Sequence, residues 1–134
     1  MNGWVTVAVG FDADEAGNGV AYARPGAGRT LRVPFSVRRY PALLSREVGY
    51  AALTAVAHAL RDRGIQRTEF CIDDARLASD LREHRDVPAP LAVSYVRLRC
   101  ALNQFREYRI ADPPASESDL TARARGDVAM HAAA

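Results

Sequence analysis

The chain has 134 residues, 49% of them hydrophobic and 25% charged, so it can bury a core and is too apolar for intrinsic disorder. Its 18 basic and 16 acidic residues leave a formal net charge of +2, and every basic side chain is an arginine. The absence of lysine excludes Schiff-base chemistry and lysine-dependent phosphate loops. We predict a single domain spanning residues 1–134, with only a modest general attraction for nucleic acid.

The remaining global features point to the cytoplasm. No stretch approaches the roughly 20 apolar residues of a membrane-spanning helix, which argues against a membrane partner. Residues 1–4 lack the basic and apolar regions of a signal peptide. Cys71 and Cys100 lie far apart in apolar segments, which predicts buried free thiols. The three histidines lack metal-ligand spacing, which argues against a zinc site.

The first third of the chain shows the alternation of strands. Residues 4–11 alternate between large apolar and small side chains, and Asp12 ends this strand. Residues 20–24 follow a turn-forming stretch and complete a hairpin, and residues 30–37 form a third strand. Pro34 indicates that the third strand lies at an edge or carries a bulge. Such an exposed strand can also pair across a two-fold axis in a homo-oligomer.

Helices and strands alternate in the rest of the chain. Apolar residues at helical spacing follow Ser45, which we interpret as an N-cap, and Gly64 ends that helix. Strands are predicted at residues 67–73 and 108–110, and helices at residues 74–84, 91–105 and 116–130. Hairpins followed by helical crossovers predict an α/β fold with a five-stranded mixed sheet and helices on both faces.

Acidic side chains occur where these predicted elements begin or end. Asp12 closes the first strand, Asp73 and Asp74 close the fourth, and Asp119 opens the last helix. Carboxylates that meet at one end of a sheet suit a two-metal site that cleaves phosphodiesters, because Mg²⁺ prefers hard oxygen ligands. Each acid also has a structural interpretation. Asp12 suits a turn, Asp73 and Asp74 suit a helix N-cap, and Asp119 suits the positive end of a helix dipole.

Four stretches together resemble the ribonuclease H family, especially its small bacterial and reverse-transcriptase-like branch. Residues 10–14, Gly-Phe-Asp-Ala-Asp, resemble the first-strand motif of Asp, then Gly or Ala, then Ser. Residues 48–53, Val-Gly-Tyr-Ala-Ala-Leu, resemble the helix motif Ala-Glu-Tyr-x-Ala-Leu. Residues 64–75 resemble the crossover into a strand ending in Asp-Ser, and residues 118–123 resemble the closing Ala-Asp-x-Leu-Ala. The element order matches over residues 4–130 and implies a ribonuclease H-like fold.

The resemblance implies a Mg²⁺- or Mn²⁺-dependent endonuclease that hydrolyses the RNA strand of RNA/DNA hybrids. Asp12, Asp73 and Asp119 would be its catalytic metal ligands, with Asp12 placed between the two ions. Asp74 is the alternative ligand if the register shifts by one residue. Asp119 takes its place only with a shortened loop, since an ungapped alignment puts Ala122 there.

The helix motif departs from the family. Gly49 stands where the family has its metal-bridging glutamate, and Glu47 lies two residues earlier, about 200° around the helix. Glu47 would be a ligand only if the helix start were re-registered. Residues 112–117 lack the family's mobile histidine, and the glycine loop is shortened to residues 15–19. The alternative is therefore a catalytically degenerate module that binds nucleic acid or a protein, with weak or absent metal binding.

Overall fold

A computed structural model describes residues 3–26, 28–37, 44–83, 87–112 and 119–132. The strands are β1 (Val5–Ala13), β2 (Asn18–Pro25), β3 (Leu31–Ser36), β4 (Arg67–Ile72) and β5 (Glu107–Ile110). The helices are α1 (Leu44–Asp62), α2 (Ala75–Glu83), α3 (Ala92–Asn103) and α4 (Asp119–Ala132), with a 3₁₀ turn at Ala89–Leu91 before α3. The strands form one mixed sheet in the order β3-β2-β1-β4-β5, which confirms the predicted fold class.

The sheet is antiparallel on one side and parallel on the other. β1 pairs antiparallel with β2, and β2 with β3, whereas β4 pairs parallel with both β1 and β5. Asp14 closes the first hairpin, since its Oδ1 accepts hydrogen bonds from the backbone nitrogens of Ala16 and Asn18, each at 2.9 Å. Gly17 has a φ of 89° in this turn, a conformation that favours glycine.

Helices cover both faces of the sheet. On one face α1 packs against the sheet and α3, and its buried side chains include Tyr50 and Leu53. On the other face only α4 packs among the described elements, where a smaller cluster joins it to β2. That cluster contains Val20, Tyr22, Leu120 and Ala124.

The strand that contains Pro34 lies at an edge of the sheet, as the sequence predicted. Pro34 lies on β3, which pairs only with β2 in the described sheet, so its missing N–H leaves no sheet hydrogen bond unmade.

Both cysteines are free, but Cys71 is half-buried and Cys100 is exposed on α3. The prediction of a buried thiol was wrong for Cys100, because α3 buries only one stripe and also exposes Val93. Within the described helices, none is both long and apolar enough to cross a membrane.

Gly10 allows α4 to lie directly on β1. A Cβ atom at this position would lie 2.7 Å from the carbonyl carbon of Leu120 and would collide with the backbone nitrogen of Thr121. A real Cβ atom does not occupy so short a distance from backbone atoms, so a larger residue would push α4 away from the sheet. The close approach brings the first turn of α4 to the end of the central strand.

An ion-pair network holds the far end of α4 to the hairpin. Asp127 accepts hydrogen bonds from Arg32 Nε and from the Tyr22 hydroxyl, both at 2.7 Å. These two hydrogen bonds lower the pKa of the Asp127 carboxyl to about 2, and the bond from Arg32 has the larger effect. The guanidinium of Arg123 lies 4.6 Å from the centre of the Tyr22 ring. Together these contacts tie α4 to β2 and β3.

The contact at Gly10 predicts opposite effects of two glycine substitutions. Gly10→Ala should lower the free energy of unfolding by about 1–3 kcal/mol, because the added methyl group overpacks a rigid backbone contact. Gly126→Ala, on α4 with open space around it, should raise the free energy of unfolding by about 1 kcal/mol through helix propensity. Urea denaturation of both variants measures the difference. Equal effects would contradict the close approach of α4 to β1.

The Asp127 network predicts an acid-dependent loss of stability. A lowered native pKa stabilises the fold fully above the ordinary value of 3.8, and this contribution is lost as the pH falls toward 2. Asp127→Asn should therefore lower stability at pH 7 by about 1.5–3 kcal/mol and flatten the dependence on pH between 4 and 2. Thermal melts over this range measure both effects. Glu15→Gln, at an exposed turn position, is the control and should keep the wild-type slope.

Candidate functional site

Asp12 and Asp73 lie on the same face of the sheet, near the ends of adjacent parallel strands. Val9 pairs with Ile72, and the backbone nitrogen of Asp73 donates to the Val9 carbonyl oxygen at 3.0 Å, so Asp73 is level with Gly10. Side chains alternate along a strand, so Gly10, Asp12 and Asp73 all face α4. Two of the predicted ligands thus lie on adjoining strands, with Asp12 two residues further along.

Thr121 is the α4 side chain that reaches this pair. Its hydroxyl donates a hydrogen bond to Asp73 Oδ2, and its backbone lies against Gly10. Asp12 is half-buried, and its side chain makes no hydrogen bond or ion pair with any residue that the structure describes. Thr121 was not predicted from the sequence, although this residue lies two positions after the predicted ligand Asp119. A neutral hydroxyl therefore stands beside Asp73.

Asp119, in the first turn of α4, pairs with an arginine of β2. Its Oδ2 forms an ion pair with Arg24 Nη2 at 2.7 Å, and this hydrogen bond lowers the pKa of the exposed Asp119 carboxyl. Arg24 is level with Ala8 of β1, whereas Asp12 is level with Val20. These two positions of β2 are four residues apart, or about 13 Å along the strand. Asp119 therefore pairs with Arg24 and forms no three-carboxylate cluster with Asp12 and Asp73 in the described part of the chain.

Asp74 caps α2. Its Oδ1 accepts a hydrogen bond from the backbone nitrogen of Leu77 at 3.0 Å, and its carbonyl oxygen accepts one from Ala78 at 3.1 Å. This is the geometry of an N-cap, one of the two interpretations that the sequence left open. Of the two adjacent acids, Asp73 contacts α4 and Asp74 begins a helix.

Gly49, not Glu47, faces the end of β1. A Cβ atom on Gly49 would lie 3.5 Å from Phe11 Cζ and 3.4 Å from Leu77 Cδ2, between β1 and α2. Glu47 is 5% exposed, and its Oε1 accepts a hydrogen bond from the Ser94 hydroxyl of α3 at 3.2 Å. The helix start is not re-registered, so Glu47 lies on the other side of α1 from Gly49.

These positions do not assemble a two-metal site. Within the described ranges, no three or more His, Cys, Asp or Glu side chains lie close enough together to hold a metal ion. Asp12 and Asp73 supply two carboxylates, and Thr121, which contacts Asp73, supplies none. Most of the loop 112–117, predicted to lack a catalytic histidine, lies outside the described residues. The described residues therefore do not fit the pair of ions that the resemblance implies.

A buried polar network lies beside Gly49. Tyr50 donates a hydrogen bond to Asp80 Oδ2 at 2.8 Å, and Arg46 Nη2 contacts the same oxygen at 3.1 Å. Burial, followed by the bond to Asp80, raises the pKa of Tyr50 to about 12. The exposed Arg76 lines the same small pocket at the start of α2. The sequence analysis missed this network, because its members come from two helices 30 residues apart.

The fold is that of ribonuclease H. The chain superposes on ribonuclease H1 of the halophilic archaeon Halobacterium salinarum with a TM-score of 0.69 and 21% identity, covering 93% of this chain and 99% of that one. The N-terminal ribonuclease H domain of a Mycobacterium tuberculosis protein, solved as a fusion with maltose-binding protein, gives 0.70 and 16%, covering 96% and 98%. Compost-derived LC11 ribonuclease H1 in complex with an RNA/DNA hybrid gives 0.63 and 12%, covering 97% and 99%. Comparisons with protein-family models and with curated sequences found no match.

The position of Gly49 beside the end of β1 predicts that one substitution strengthens metal binding. Gly49→Glu adds a third carboxylate near Asp12 and should tighten Mn²⁺ binding at least tenfold, or about 1.4 kcal/mol. Titration of Mn²⁺, followed by electron paramagnetic resonance of the free ion, measures the affinity. Gly49→Ala controls for helix propensity and should bind Mn²⁺ as the wild type does. If the double variant Gly49→Glu, Asp12→Asn still bound Mn²⁺ as tightly as Gly49→Glu alone, residue 49 would not lie near Asp12.

Proposed function

We propose that the chain binds RNA/DNA hybrid duplexes on its ribonuclease H fold and hydrolyses them slowly or not at all. The observation that carries this proposal is that Gly49 faces the end of β1, where the resemblance places a metal-bridging glutamate. A site with two carboxylates holds a pair of divalent ions less strongly than one with four. Loss of metal affinity removes hydrolysis before it removes the surface that contacts the duplex.

The surface around Asp12 supports duplex binding. The pocket beside Gly49 joins the first turns of α1 and α2, and the N-terminus of a helix attracts phosphate groups. Arg76 lies there, exposed and with no side-chain partner among the residues described. An arginine at this position can contact a phosphate directly. One neighbour with this fold, LC11 ribonuclease H1, was solved with an RNA/DNA hybrid.

The charge balance predicts a modest affinity. A net charge of +2 leaves few basic side chains in excess, so the number of neutralised phosphates should be small. Binding of the duplex should therefore weaken only gradually as the salt concentration rises. The cytoplasmic location and the homo-oligomer suggested by the sequence stay predictions.

Fluorescence anisotropy with a labelled RNA/DNA hybrid in EDTA tests the proposal. Asp12→Asn should raise the affinity, because it removes an unpaired negative charge close to the phosphates. Arg76→Gln should lower it and reduce the slope of log K against log salt by about 0.9, the value for one phosphate contact. Arg63→Gln, at the far end of α1, is the matched control and should change neither quantity. No binding at micromolar protein, or equal effects of the two arginine variants, would overturn the proposed interface.

The second candidate function is metal-dependent cleavage of the RNA strand. It is favoured by Asp12 and Asp73, which share one face at the ends of adjacent strands, and by the absence of any described partner for Asp12. Incubation of the hybrid with Mg²⁺ or Mn²⁺ and gel analysis of the RNA strand separates the two candidates. Cleavage that both Asp12→Asn and Asp73→Asn abolish would establish the nuclease, and Asp62→Asn, at the end of α1, should leave it intact. Binding without cleavage would establish the degenerate module.

A further inference from the structure

A large cavity lies on the side of α1 that does not face Asp12. It has a volume of about 650 Å³, is open to solvent on one side and is bordered by β3, α1 and the start of α3. This volume is within the usual range for small-molecule sites, about 300–1,000 Å³. The residues that matter for its chemistry are Phe35, Glu47, Ala51, His58, Ser94 and Arg97.

Glu47 brings an incompletely satisfied carboxylate to this cavity. The residue is 5% exposed, and Ser94 donates to its Oε1 at 3.2 Å, but its Oε2 is buried with no hydrogen-bond partner among the described residues. A buried carboxylate oxygen without a donor is unfavourable, because it has lost water and gained no replacement. Because Glu47 is one of the residues that line the cavity, a ligand bound there can offer an N–H group to its carboxylate. The cavity therefore favours a cationic or strongly donating nitrogen at its inner end.

Basic side chains border the same cavity further out. Arg97 lies one helical turn after Ser94 on α3, which places its backbone about 4.5 Å along the helix axis. It is exposed and has no side-chain partner in the described part of the chain. His58 lines the cavity from α1 and is also exposed. An anionic group on the ligand would meet this basic side while its nitrogen meets Glu47.

The walls between these charges are mostly apolar. Phe35, Ala51 and Val93 line the cavity, and Val93 is 65% exposed, so a hydrocarbon segment placed there would cover apolar surface. Pro34 lies on the edge strand that borders the cavity and has no N–H to offer an added strand. This edge therefore disfavours an extended peptide and leaves the cavity to a smaller ligand.

We propose that this cavity binds a small zwitterion that carries an amine or guanidinium group at one end and a carboxylate or phosphate at the other. The nitrogen donates to Glu47 Oε2, and the anionic end contacts Arg97. The site is independent of the proposed hybrid binding, because Glu47 and Gly49 lie about 200° apart around α1.

Three related probes test this assignment by isothermal titration calorimetry. L-arginine has both charges, agmatine lacks the carboxylate, and L-citrulline replaces the guanidinium with a neutral urea. L-arginine should bind, and its affinity should fall at least tenfold in Glu47→Gln and for L-citrulline on the wild type. Arg97→Gln should weaken L-arginine but not agmatine, because only L-arginine carries the anionic end.

Controls separate recognition from loss of structure. Thermal melts without ligand should show Glu47→Gln at least as stable as the wild type, because the substitution removes a buried, partly unpaired charge. Arg63→Gln, in the turn that follows α1 and outside the cavity, should bind L-arginine as the wild type does. No L-arginine binding at 10 mM ligand, about the weakest affinity that a specific contact gives, would overturn the proposal. So would unchanged binding in a folded Glu47→Gln variant, or an equal loss of agmatine and L-arginine binding in Arg97→Gln.

Discussion

Gly10 lets α4 rest directly on β1, and the arrangement at the end of the sheet depends on this contact. With no side chain at Gly10, the backbone of Thr121 approaches the central strand, and its hydroxyl reaches Asp73. The other end of the helix is held by Asp127, which is paired with Arg32. A helix held at both ends cannot rotate freely about its axis, so the residues facing the sheet are determined by these contacts.

The rotation of two helices decides which acids face the strand ends. Thr121 and Asp119 are two residues apart on α4, about 200° around the helix, so when one faces Asp73 the other does not. Glu47 and Gly49 have the same relation on α1. In both pairs the neutral residue lies against β1 or Asp73, and the acid contacts a residue of another element. The ribonuclease H fold is therefore retained while two of the predicted ligands serve other contacts.

Burial and function act on different parts of this molecule. The core consists mainly of apolar residues from α1, α3 and the sheet. The acids near Asp12 are not part of it. Such a core stays stable when metal ligands are replaced, because desolvated carboxylates contribute little to folding and often oppose it. The same reasoning applies to Glu47. Its buried carboxylate is incompletely hydrogen-bonded and therefore opposes folding. Its presence beside an open cavity is better explained by ligand binding than by stability.

The sequence by itself determined the order and type of the strands and helices and placed Pro34 at an edge or a bulge, because alternation and helical spacing report local geometry. It placed Asp12 and Asp73 at strand ends for the same reason, and the resemblance to ribonuclease H identified the substitution at Gly49. Only the tertiary structure made the strands of Asp12 and Asp73 neighbours. Only the tertiary structure decided that Asp119 pairs with Arg24 and that Glu47 is buried against α3. The rotation of a helix about its axis depends on contacts between residues far apart in the chain, and local periodicity carries no record of those contacts.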